Sequence, residues 1–406
     1  MRVAYVLSQN QGGLPHYAAE LANAVSEHAE VAVFKPTDTT ADTLFSDTVE
    51  TVSAFENMTL SIPDLYGGNF DVLENVRALY SYRNIDRIRE FDPDVVHDPT
   101  DFFPQVKLFT KLHGIDREFP FVVTYHEVPP PIFSLGDPFA TVESALDRVI
   151  PDVDHDRLIV HSEAQQRAFG RRFGRPQTID VIPHGAYDFF TDQPYTPQPE
   201  ESATVLFFGN IFPGKGLDVL AEAITLAAES VPELTLVICG DGEFSDQTQS
   251  IIDSNPDRFE VHNYFIPNDD VGEFFTRATL VALPYRPAAT DGTKGHSGAL
   301  STAHAFGKPV VSTSIGDFPR LVGDAGAGRV VEPNDPDALA EAILEMLSDD
   351  ELRSSMAERS SEQADRHSWE SIARQHLDAY AAAIERFERR TTSSESLGVS
   401  NELIAE

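Results

Sequence analysis

Short apolar runs bounded by turn residues recur along this chain in two series, and a polar, proline-rich stretch at 187–202 separates them. The first series falls at residues 2–7, 30–34, 94–97, 121–125, 158–161 and 178–182. The second falls at 204–208, 234–239, 259–262, 279–283, 309–312 and 329–331. Helical patterns lie between them, at 17–27, 73–90, 139–149 and 163–173, then at 216–229, 269–275, 297–306 and 335–347. Near-continuous apolar strands alternating with amphipathic helices are the pattern of parallel sheets covered on both faces. At 406 residues the chain is also too long for one ordinary core. The expected fold is therefore α/β, with two Rossmann-like domains: residues 1–186, a linker at 187–202, and residues 203–368. A closing helix at 369–390 follows a second domain that is already complete, and the polar residues 391–406 are expected to be disordered. Open α/β sheets bind ligands at the carboxyl ends of their strands, so a cleft between the two domains is the expected site.

Charge narrows the class further. Asp and Glu number 66 against 30 Lys and Arg, a net charge of −36, and only six of the basic residues are Lys. Carboxylates spread along the whole chain are expected of a protein that works in molar salt, where the Debye length falls to about 3 Å and self-repulsion is screened. Such a surface repels a phosphate polymer, so nucleic acid is excluded as a partner. Cys239 is the single cysteine and lies in an apolar run, which leaves no internal disulfide and no cysteine-built zinc site. No His, Asp and Glu set has zinc spacing, and no metal is expected. No apolar run reaches the roughly 18–20 residues of a membrane span, and residues 1–7 read as a strand, so a cytoplasmic location is expected.

Three glycine-bearing loops carry the candidate chemistry. Gly12 and Gly13 lie between the first strand and the first helix, where backbone N–H groups favour an anion. A tight strand-to-helix turn is the alternative reading, and the full Gly-x-Gly-x-x-Gly fingerprint of a nicotinamide site is absent. Gly209 and Asn210 open the second loop, which runs to Gly214-Lys215-Gly216. Lys215 at a helix start suits stabilisation of a diphosphate leaving group, or is a solvated turn residue. The third loop places Ser297 and Gly298 ahead of a helix. His126 ends a strand beside Glu127, as a cleft-facing or a satisfied structural histidine. His184 is equally open, while His97 and His161 read as structural. Glu243, after Gly240-Asp241-Gly242, reads as a helix-start residue or a nucleotide contact.

The strings Phe208 to Asp218, Gly240-Asp241-Gly242-Glu243 and Phe306-Gly307-Lys308-Pro309-Val310 resemble the retaining glycosyltransferase family 4 pattern, whose fold is GT-B. Gly12-Gly13, Thr124-Tyr125-His126-Glu127, Ile182-Pro183-His184-Gly185 and the final helix around Trp369 and Tyr380 are similar to its other landmarks. The resemblance implies a final helix that crosses back onto the first domain. It also implies a nucleotide-diphosphate sugar as co-substrate, UDP- or GDP-linked, with no further cofactor and no metal. Gly12 and Gly13 would lie against the diphosphate or sugar. Lys215 and the backbone at Ser297 and Gly298 would contact the diphosphate, and His126 would face the transferred sugar. The implied acceptor is a glycan or a polyprenyl-phosphate-linked glycan, reached by peripheral contact with the membrane.

The chain departs from the pattern at four places. The family's paired glutamates correspond to Lys294 and Thr302, its Arg to Asn210, and a further Glu to Arg320. Thr302, with Gly242 and Glu243, is a candidate nucleotide contact. These departures keep a rival open, a non-catalytic subunit that binds a sugar nucleotide or a glycan. An epimerase lacks the needed carboxylates, and a phosphorylase lacks a placed lysine. Arg167, Arg171, Arg172 and Arg175 suit a phosphate-bearing acceptor or a helix solvated by its own ion pairs.

Overall fold

A computed structural model describes residues 1–57, 72–128, 150, 153–173, 178–287 and 297–402, with backbone alone for 72, 172–173 and 394–402. The described residues divide into two units, one drawn from Met1–Pro183 and Trp369–Glu406, the other from His184–Thr290 and Lys294–Ser368.

In the first unit, β1 (Arg2–Val6), β2 (Glu30–Pro36), β3 (Val49–Phe55), β4 (Val95–Asp98), β5 (Phe121–Tyr125), β6 (Arg157–Val160) and β7 (Ile179–Val181) form one sheet. Its order is β3-β2-β1-β4-β5-β6-β7, and every pairing is parallel. Strand order reverses between β1 and β4, the point at which such sheets open a crevice at their carboxyl edge. Helices α1 (Gly13–Ser26), α2 (Val72–Ser81) and α3 (Glu163–Phe173) are among its connections. β3 is an addition to the expected strands. The expected helix at 73–90 breaks into α2, a 3-10 turn at Tyr82–Arg87 and a last turn at Ile88–Phe91, which ends at Asp92 with φ 51°. The expected helix at 139–149 lies outside the described residues.

The second unit holds β8 (Thr204–Phe208), β9 (Thr235–Cys239), β10 (Phe259–His262), β11 (Leu280–Leu283), β12 (Val310–Thr313) and β13 (Gly328–Val331). They pair in parallel in the order β10-β9-β8-β11-β12-β13, so the reversal lies between β8 and β11. Helices α4 (Leu217–Ala227), α5 (Asp246–Ser254), α6 (Gly298–Ala305), α7 (Pro336–Ser348) and α8 (Asp350–Arg366) accompany them. α4 and α7 cover one face, where Leu220, Ile224, Ile343 and Met346 close over Val205, Leu236 and Leu280, all buried. Much of the proline-rich stretch is fixed to this unit. Asp188–Phe190 forms a 3-10 turn whose Phe189 and Phe190 are buried, with ring centroids 4.0 Å apart. Aromatic anchors at two positions outweigh a composition that otherwise reads as an open linker.

Helix α9 (Trp369–Glu402) returns to the first unit. Its Tyr380 hydroxyl lies 2.9 Å from that of Tyr5 and 2.8 Å from His97 Nδ1. Arg390 donates to both carboxylate oxygens of Asp156, at 2.9 and 3.2 Å, and to the Asp116 carbonyl at 2.6 Å. Helix continues to Glu402 where the polar residues 391–402 were expected to be disordered, because extending a formed helix adds a hydrogen bond for each residue ordered. No helix among the described residues is long and apolar enough to cross a membrane.

Candidate functional site

The second unit gathers its site where β8 and β11 end. Lys215 closes a 3-10 turn, Pro213–Lys215, and its N–H donates to the Phe212 carbonyl at 2.9 Å. Gly216 follows with φ 68°, and a Cβ there would stand 2.0 Å from the Pro284 carbonyl oxygen. Glycine thus lets this turn lie directly against the chain leaving β11, where the Arg286 N–H donates to the Gly214 carbonyl at 2.9 Å. The Lys215 ammonium donates to the Tyr285 hydroxyl and stands 3.9 Å from the centroid of the Tyr285 ring. That hydroxyl is 2.8 Å from Ser297 Oγ, and Ser297 caps α6 by accepting from the Leu300 N–H. Lysine, phenol, serine and the start of a helix therefore form one continuous set.

The charges around this set are sorted. Arg286 donates to Asp218 at 2.6 Å and to Asn334 at 2.8 Å. Lys308 is buried and pairs with Glu200 at 3.1 Å, so the lysine of the Gly-Lys-Pro-Val segment is structural. In the first unit, Lys35 and Lys111 likewise pair with Asp42 and Asp116. Among the described residues, Lys215 has no carboxylate within ion-pair distance, although the chain carries 66 acids. A cation with only a phenol and ring faces for company is poised for an anionic ligand, and the first N–H groups of α6 beside it add to that potential. Tyr285 was not singled out in the sequence. The available signal was its place two residues past the end of β11, at the strand-order reversal.

The neighbouring loops take supporting places. Gly209 donates its N–H to the Cys239 carbonyl at 2.9 Å, and Ile211 to that of Asp241 at 2.7 Å, which zips the β8 and β9 ends together. Open space faces Gly209 where a side chain would stand, and Asn210 is exposed. Gly242 exchanges two hydrogen bonds with the Asn263 amide, at 3.2 and 3.1 Å. Glu243 is exposed and precedes α5, whose cap is Ser245, so it is not the helix-start residue that its spacing suggested. Thr302 is fully buried, and its hydroxyl donates to the Gly298 carbonyl inside α6 rather than standing at the surface as a nucleotide contact. Gly298 lies against the ring of Tyr187. His184 is buried, with Nδ1 donating to the Gly185 carbonyl at 2.7 Å. Arg320 is exposed and 3.7 Å from Asp317. Lys294 lies outside the described residues.

In the first unit, Gly12 caps α1 with φ 82° and open space where a side chain would stand, and Gly13 begins that helix. One turn on, the Tyr17 ring meets His126 edge-on, with centroids 4.6 Å apart. His126 is buried. Its Nε2 donates to the Pro99 carbonyl at 2.9 Å, and its Nδ1 is 3.1 Å from His161 Nε2. Its backbone N–H donates to Asp101, whose carboxyl burial pushes up to about 8. Asp98, fully buried at the end of β4, is pushed up to about 7 by the same cause. His97 and His161 fall well below the ordinary 6.5, chiefly through burial. Gly12, Gly13 and His126 thus share the carboxyl edge of the first sheet, while Lys215, Ser297 and Gly298 share that of the second.

The remaining candidates are peripheral. Burial pushes the Cys239 thiol up, as fits an inert strand residue. Arg167 pairs with Glu163 at 3.2 Å on the exposed face of α3, and Arg171 is exposed there. The Arg172 side chain and Arg175 lie outside the described residues. Among the described residues, no group of three or more His, Cys, Asp or Glu side chains is placed to hold a metal.

Two doubly wound parallel sheets in one chain, each with a glycine turn at its carboxyl edge, define a two-domain Rossmann-like protein of the GT-B class. Residues 11–187 match the family model described as Glycosyltransferase Family 4, and residues 188–363 match that of Glycosyl transferases group 1. Each part of the chain thus resembles a glycosyltransferase domain, and the two matches adjoin. It is 30% identical over 252 residues to a D-inositol 3-phosphate glycosyltransferase of a Nocardioides strain, covering 56% of this chain and 54% of that one. Over 327 residues it is 24% identical to the O-antigen chain mannosyltransferase B of Escherichia coli, covering 76% and 80%. The chain spans about half the length of the inositol-phosphate and phosphatidyl-myo-inositol transferases it matches. Among solved structures, Anabaena HepE in complex with UDP and glucose aligns at a TM-score of 0.69 with 18% identity, covering 94% of this chain and 99% of that one. Sucrose-phosphate synthase from Thermosynechococcus elongatus aligns at 0.68 with 18% identity, covering 94% and 98%. At this identity the likeness is one of fold.

Proposed function

We propose that the chain transfers a hexose-type sugar from a nucleoside-diphosphate donor to a glycan or lipid-linked acceptor, with retention at the anomeric carbon. The observation that carries the reading is the Lys215 ammonium, held beside the first turn of α6 with no carboxylate partner among the described residues. Sugar transfer is supported by the activities of the relatives, and a UDP-linked donor by the ligands of a structural neighbour. In the step, the bond from C1 to the donor's diphosphate oxygen breaks and a bond from C1 to the acceptor oxygen forms on the same face. The acceptor proton passes to the departing diphosphate. Lys215 and the α6 N–H groups oppose the charge that grows on that leaving group, and fixed positive charge of this kind is the largest lever available to such a site. In this reading no metal is required, and the phosphate-binding part belongs to the second unit. Cytoplasmic placement, with peripheral contact at a membrane that holds a polyprenyl-phosphate acceptor, completes the reading.

Thermal unfolding in molar KCl with UDP, GDP, ADP and their sugar conjugates tests it. A ligand at about 100 times its dissociation constant stabilises by roughly 2.7 kcal/mol. One nucleotide is expected to give this shift, Lys215→Ala to abolish it, and the matching sugar conjugate to be turned over. Tight binding with neither hydrolysis nor transfer would replace catalysis with the binding-subunit reading.

A further inference from the structure

We propose that Tyr285 is a positioning residue, whose hydroxyl ties the Lys215 ammonium to Ser297 so that lysine and helix start act as one diphosphate-binding unit. The inference rests on the donor reading above.

An ammonium only donates, so the Tyr285 oxygen accepts from Lys215. The phenolic hydroxyl lies 2.8 Å from Ser297 Oγ, a hydrogen bond in which either can donate, and that serine oxygen also accepts from the Leu300 N–H. Ser297 stands at the start of α6, where the helix offers its first N–H groups. Tyr285 is itself fixed from behind. It is 5% exposed, its carbonyl accepts from Thr313 Oγ1 at 2.6 Å, and its ring meets Phe318 edge-on at 5.1 Å. A lysine has four rotatable side-chain bonds, and an exposed one samples many positions. Anchored to a buried phenol, and lying over its ring, this ammonium is ordered before any ligand arrives.

The test compares wild type with Tyr285→Phe, which keeps the ring and removes the tie. UDP binding should weaken about 10-fold, while UMP binding changes less than 2-fold, because UMP lacks the second phosphate. Added to Lys215→Ala, Tyr285→Phe should cost less than a further 2-fold in UDP affinity, since its effect runs through the lysine. Equal losses for UDP and UMP, or a full further loss in the double variant, overturn the proposal. Amine acylation of the ligand-free protein, read at Lys215 by peptide mass spectrometry, needs no nucleotide. It should rise at least 3-fold in Tyr285→Phe and in Ser297→Ala, and an unchanged rate in both overturns the tie. If wild type binds none of UDP, GDP or ADP while acylation rises as stated, the tie stands and the donor reading falls.

Discussion

Gly216 is the residue on which the geometry of the lysine turn depends. Its φ of 68° costs an L-residue roughly 1–2 kcal/mol, and the Pro284 carbonyl oxygen stands 2.0 Å from where a Cβ would go. Gly216→Ala must both strain the turn and push it off the β11 end. The expected loss is about 2 kcal/mol or more, which lowers the thermal midpoint by roughly 4–8 °C in a unit of this size. UDP affinity should fall with it, because Lys215 and Tyr285 ride on the two segments being separated. A midpoint unchanged within 1 °C would mean that the turn relaxes freely. At this scale the sequence was legible where a residue type is itself the signal. Gly216 and Lys215 stand out in a strand-to-helix turn, and Lys215 is rare in its surroundings. Tyr285 was hidden because nothing local distinguishes Leu283-Pro284-Tyr285-Arg286 from any strand end. Its partners lie 70 residues before it and 12 after it.

At the level of elements, the ends of β4 and β5 carry opposed buried groups, and their titration has a predictable sign. Asp98 and Asp101 keep their protons in the native chain to about pH 7 and about pH 8, against an ordinary 3.8. The native state then binds more protons than the unfolded one, so stability falls as pH rises through that window. His97, His161 and His376 are displaced below 6.5, so they make stability rise with pH up to that value. Above pH 6.5 the histidine contribution fades, and towards pH 8 the carboxyls come to dominate the slope. The thermal midpoint of the first unit should drop across this interval, and the Asp98→Asn, Asp101→Asn double variant should flatten the drop. An equal slope in both proteins would rule these carboxyls out as its source. Element type was legible wherever an apolar run or stripe is long, as in β8 or α4. It failed for α8, whose buried stripe is Met356, Ser360 and Gln363, a helical spacing that apolar periodicity does not register. It failed for β3 because Glu50, Thr51 and Ser53 dilute an edge strand whose register is set by β2.

For the whole molecule, the charge of −36 is the dominant long-range force. Exposed arginines pair mostly along their own helices, as Arg167 with Glu163 and Arg359 with Glu362, and such pairs contribute little. They leave a large surplus of carboxylates repelling one another over a Debye length of about 10 Å in 0.1 M salt and about 3 Å in 1 M. Thermal midpoints should therefore climb steadily from 0.1 to 2 M KCl, and a flat response would sink self-repulsion as the force that limits stability. The two-unit plan was legible from the doubled series of apolar runs. The polar continuation of α9 was not, because its order is inherited from the helix before it. That helix also fixes the order in which the molecule comes into being. Tyr5 and His97 leave the ribosome early, yet their partner Tyr380 is translated only after the whole second unit, at 5–20 residues per second roughly 10–40 s behind the end of the first. Throughout that interval Tyr5 and His97 lack their helix partner, while almost all of the second unit has already been translated. The molecule is completed from the middle of its sequence outwards, and the nascent chain's exposed period belongs to its N-terminal half.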